Sequence, residues 1–218
     1  MRDYNYIETK LNEEANKIVV LIKGDYYKYM SLEKKQLIDN LIKSKKIVIV
    51  NQGPSHFKDN TLAHGGRALN DGKIHFYPDV RNFKTMDEII ENCKQILPHE
   101  CFHYFIQPDK INFENKLEKE MANFYTEGLV EKETRKFCER HKDNVAFKKA
   151  NYGYNINFVN AIQEKLQATD YNIIFSENDY LKNIGQYTYE YKIILENKKE
   201  ALKKFTSKKL DNKDEREL

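Results

Sequence analysis

The run ILPHECFHYFI, residues 96–106, limits this chain more than any other stretch. It is apolar apart from His99, Glu100 and His103, and it belongs to a longer helical pattern. Ile89, Cys93, Ile96, Glu100 and His103 recur with the 3.6-residue period of an α-helix. A helix built from this run has to bury ionisable groups, and such groups need partners inside the protein. Pro98 interrupts the pattern, and Pro108 marks its end.

The surrounding pattern predicts α+β architecture. Residues 5–23 read as a helix ending near Gly24. SLEKKQLIDNLIKS reads as a second helix capped by Ser31. KKIVIV is the clearest strand. Residues 51–71, with Gly53, Pro54, Gly65 and Gly66, read mostly as loop. GKIHFYP, Gly72 to Pro78, alternates and ends in proline, which predicts an edge strand just before the His99 helix. Such an edge can pair with an extended substrate backbone. Residues 114–140 read as helix in one or two pieces, and INFVNAIQEKLQ and YTYEYKIILENKKEALKKF as two more. The expectation is a short mixed sheet followed by a helical C-terminal half. One domain spans 1–205, with a charged, frayed tail at 206–218.

Charge narrows the function. The balance of 37 basic against 34 acidic side chains gives no electrostatic case for a nucleic-acid partner, and the local basic cluster KKFTSKKL reads as a solvated helix end or tail. No apolar run approaches the roughly 20 residues that span a bilayer. The start lacks the basic-then-apolar order of a secretory signal. A cytoplasmic location without membrane contact is therefore expected, unless the chain leaves its cell by a route that reads no such signal. Cys93, Cys101 and Cys138 are odd in number and have no C-x-x-C spacing, which reads as buried free thiols.

Positions four apart share one helix face, so His99 and His103 can aim two ring nitrogens at one metal ion. Glu100 lies beside them, placed to reach a water on that ion. This H-E-x-x-H pattern needs a third ligand for a catalytic zinc site. Asp109, six residues after His103, is one candidate. In the metzincins, that spacing accompanies a glycine where this chain has Ile106. The other candidates are Glu127 and Glu131 in MANFYTEGLVEKETRKF. They are one helical turn apart, so one can bind the metal while the other reaches back to a histidine. Without a metal, the same histidines can pack as helix residues bonded to these glutamates. Glu131 can also be a solvated residue paired with Arg135.

The motif together with EGLVE resembles the gluzincin metallopeptidases, in which a glutamate on a second helix completes H-E-x-x-H. The resemblance covers about residues 99–137. It implies a small zincin-like domain and zinc-dependent hydrolysis of peptide or protein substrates. His99, His103 and Glu127 would be the zinc ligands, and their metal-binding atoms should converge to within about 4 Å. Glu100 would activate the zinc-bound water, and Glu131 would hold the His99 ring, as in thermolysin-like members. Those members carry asparagine before the ligand glutamate, where this chain has Thr126. The family also places a tyrosine or histidine after the third ligand to stabilise the oxyanion. Tyr152 and Tyr154 are the favoured candidates, with His141 a third. The alternative function is an inactive zincin-like zinc module that binds a partner protein without cleaving it. His56, His64 and His75 read as ordinary surface or loop histidines.

Overall fold

The computed structural model describes residues 4–45, 47–50, 65–69, 73–77, 85–106, 113, 115–149, 152–166 and 184–214. Six α-helices and three strands lie among them, an α+β arrangement that is mostly helical. The chain groups into two compact units. One comprises Met1–Gln107, Val130–Ala150 and Tyr171–Glu177. The other comprises Pro108–Leu129, Asn151–Asp170 and Asn178–Leu218.

In the first unit, helix α1 (Tyr4–Tyr26) buries Ile7, Leu11, Ala15, Ile18, Val19, Ile22 and Tyr26 along one stripe. Ile22 and Tyr26 are four apart on that stripe, so burial carries the helix past Gly24, where the sequence predicts its end. Helix α2 (Leu32–Ser44) begins at Ser31, whose hydroxyl accepts from the Lys34 amide. It closes at Lys45, which adopts a left-handed conformation with φ 50°. Strand β1 (Val48–Val50) follows.

The sheet differs from the expected one. Strand β2 (Gly65–Leu69) lies inside the stretch read as loop, and it pairs antiparallel with β3 (Lys73–Tyr77). Strand β1 pairs parallel with β3 on the other side, with Val48 opposite Ile74. The order is therefore β1-β3-β2, and GKIHFYP supplies the central strand instead of an edge. Ile74 and Phe76 point into the core, while Lys73 and His75 are half-buried. The outer edge of β1 is covered by Asn12 of α1. Its Oδ1 accepts from the Ile47 and Val48 amides at 2.8 and 2.9 Å, and its Nδ2 donates to the Val48 carbonyl at 3.2 Å. Among the described residues, no strand pairs with the outer edge of β2.

Helix α3 (Met86–Ile106) packs against α1, β2 and β3. Phe102 anchors it, meeting Tyr26 and Phe137 edge-on at 5.6 and 5.3 Å. Lys34 of α2 donates to the Phe105 carbonyl in the last turn of α3. That carbonyl belongs to the set left without helical partners, and a cation suits the negative end of a helix.

Helix α4 (Lys116–Arg140) is continuous, and the division between the two units falls within it. In the second unit, α5 (Gly153–Leu166) packs against α6 (Thr188–Asp214). Phe124, Phe158 and Tyr191 form the aromatic centre there, with ring centroids 5.3–6.0 Å apart. Among the described residues, no helix is long and apolar enough to cross a membrane.

Candidate metal centre

His99 and His103 stand one turn apart on the buried face of α3, with exposures of 6% and 8%. Their rings cross at 74° with centroids 4.9 Å apart, and their Nε2 atoms face each other at 3.2 Å. Pro98 sits inside α3 without breaking it. One turn earlier, the Gln95 carbonyl accepts from the Lys148 amide at 3.0 Å. The approach to His99 is thereby tied to the segment that follows α4.

Glu131 of α4 lies behind His99 with its side chain fully buried. Its Oε2 is 3.0 Å from His99 Nδ1, and its Oε1 accepts from Arg135 Nε at 2.8 Å. The two partners that the sequence offers as alternatives are both present, one on each oxygen. Burial pushes the Glu131 carboxyl up, but the bonds to His99 and Arg135 outweigh it and hold the group below the usual carboxylate range. An ionised carboxylate only accepts, so the proton belongs on His99 Nδ1. His99 Nε2 then presents a lone pair towards His103.

His99, His103 and Glu127 each offer one ligand atom, and these atoms lie within 4.8 Å of one another. The spread is wider than the expected 4 Å. They are the only such group of three among the described residues. Two buried imidazoles and a half-buried carboxylate in this arrangement can hold a metal ion. Glu100, next to His99, is also buried, at 8% exposure. Asp109, His56 and His64 lie outside the described residues.

The other candidates separate. Tyr152 immediately precedes α5 and Tyr154 lies in its first turn, both half-buried. His141 bonds to Asp25 Oδ2 at 3.1 Å and rests on the Phe137 ring at 4.7 Å. It follows Glu131 by ten residues, about 15 Å of helical rise. All three cysteines are buried and free. Burial raises Cys93 and Cys138 to about 12 and takes Cys101 well above its ordinary value, so none is poised as a thiolate. Glu133, part of the charged run EKETRK, is fully buried and accepts from Lys136 at 2.9 Å.

The sequence reading missed Gly128 and Asn155. A glycine inside a helical pattern signals a packing requirement, and here α5 approaches α4 at Gly128. Comparison of the chain with protein families, with curated proteins and with solved structures finds no match.

The Glu131 contact makes a direct prediction. Glu131→Gln keeps the shape but cannot accept from both His99 and Arg135 with full charge. Metal affinity should fall about 10–100-fold, the range for partners that orient a ligand histidine. Glu139→Gln, exposed near the end of the same helix, should release metal like the wild type. Competition with a chromogenic chelator measures both. Equal affinities for the two variants would remove Glu131 from the site.

Proposed function

We propose that the chain is a zinc-dependent peptidase, with zinc held by His99, His103 and Glu127. The observation that carries this reading is the facing pair of Nε2 atoms, 3.2 Å apart, with the His99 ring bonded from behind by Glu131. Ligands at 2.0–2.1 Å around a tetrahedral zinc lie about 3.3 Å from one another. The histidine spacing suits one edge of that tetrahedron. Two imidazoles and one carboxylate are also a donor set that catalytic zinc accepts, with the fourth position left open.

Zinc supplies a Lewis acid and lowers the pKa of water towards about 7. In this reading, Glu100 accepts the proton of the attacking water and delivers it to the leaving amine. Glu131 fixes the His99 tautomer. Tyr152 is favoured over Tyr154 as the donor to the developing oxyanion. It precedes Asn155 by three residues and Val159 by seven, the helical spacings of one face. Asn155 and Val159 are the residues that meet Gly128, the neighbour of Glu127. An extended substrate backbone would pair with the outer edge of β2, since β3 is enclosed on both sides.

Removal of metal is the test. Dialysis against a chelator should abolish cleavage of an unfolded protein substrate, and stoichiometric zinc should restore it. Full activity after demonstrated zinc removal would refute the proposal. Tight zinc binding with no cleavage of any unfolded substrate would favour a non-cleaving zinc module.

A further inference from the structure

Two glutamates of α4 bear on the histidine pair. Glu131 is bonded on both oxygens by His99 and Arg135. Glu127 lies one turn earlier on α4, beside the place where α5 comes closest. A Cβ built on Gly128 would stand 2.4 Å from the Asn155 carbonyl oxygen, 2.5 Å from its carbon and 2.9 Å from Val159 Cγ2. Two of those three atoms are backbone, so the strain cannot be relieved by rotating a side chain. Asn155 is buried at 7% exposure, and its Nδ2 donates to the Phe124 carbonyl at 3.0 Å. One residue of α5 thus touches α4 on either side of Glu127, at Phe124 and at Gly128.

Resting on the zinc reading above, we propose that Gly128 and Asn155 are positioning residues for the third ligand. Their contact sets the height and rotation of the α4 turn that presents Glu127. A glycine in a helix interior is unfavourable by about 1 kcal/mol relative to alanine. Gly128 is therefore a poor choice for the helix alone and a necessary one for the close crossing. Gly128→Ala adds a methyl group that α5 has to move away from, and the Glu127 turn shifts with the repacking. Asn155→Ala leaves the backbone approach intact and removes only the amide bond to Phe124.

The test is a zinc-affinity cycle on the full chain, using competition with a chromogenic chelator and circular dichroism to follow folding. Gly128→Ala should weaken zinc binding about 10–100-fold, in the range of other groups that orient a ligand, and Asn155→Ala should weaken it less. In a Glu127→Gln background, neither substitution should lower affinity further, because the ligand they position is gone. A purely structural role would make the losses additive, as for independent sites. Cobalt-loaded Gly128→Ala should show the altered visible absorption of Glu127→Gln. If Gly128→Ala does not fold, Asn155→Ala carries the same comparison. The proposal is overturned if the folded variants bind zinc like the wild type while Glu127→Gln binds weakly, or if their losses persist in the Glu127→Gln background. A wild type that binds no zinc overturns the metal reading, and this inference with it.

Discussion

Glu100→Gln is expected to keep stoichiometric zinc and to slow peptide hydrolysis by about 10²–10⁴-fold, the usual contribution of a positioned acid–base group. The substitution exchanges one oxygen for an NH2 group of similar size, so packing of this buried position on α3 is preserved. The amide cannot take a proton from water or return one to an amine. His99 and His103 keep their one-turn spacing, and Glu131 still holds the first of them. Metal analysis after gel filtration, alongside single-turnover cleavage, separates the two effects. Wild-type cleavage by Glu100→Gln would rule out the mechanism even with zinc bound. Loss of zinc would instead place Glu100 among the residues that hold the metal.

His103→Ala is expected to lose zinc and hydrolysis together. It removes one of the three proposed donors, and no cysteine joins that group of ligand atoms among the described residues. The drop in affinity should exceed the roughly 100-fold upper range seen for groups that only orient a ligand. Because His103 is buried, the truncation also leaves a void in α3, so the fold has to be followed by circular dichroism. Addition of zinc should raise the melting temperature of the wild type and leave His103→Ala unchanged, because a ligand stabilises only a protein that binds it. Stoichiometric, stabilising zinc in a folded His103→Ala would exclude His103 as a ligand.

The helices were the most legible part of the sequence, because their apolar stripes repeat over many turns. The stripe from Ile7 to Tyr26 and the Ser31 cap are examples. Strand β2 was not legible. Gly65 and Gly66 weaken any local preference for a strand, and its order comes from pairing with β3. That missed partner also turned β3 from a central strand into an expected edge. On α3 and α4, the spacing of His99 and His103 and the placement of Glu127 and Glu131 were visible as helical periodicity. The burial of Glu133 was hidden because charged residues surround it in sequence, and a local pattern does not record which neighbours fold over it. Asn155 lies 27 residues beyond Gly128 and carries no motif of its own. Its part in the α4–α5 crossing exists only in three dimensions.

The arrangement around Glu131 also sets the electrical character of the pocket. Glu127 and Glu131 share one helical turn, Glu100 lies beside His99, and Arg135 contributes the guanidinium that bonds Glu131. His99 and Arg135 take one oxygen each of Glu131, so that carboxylate is committed before any metal binds. Close charges in a water-poor interior interact far more strongly than in bulk water. In the zinc reading, Arg135 acts on the metal at one remove, through the Glu131 carboxylate that holds His99.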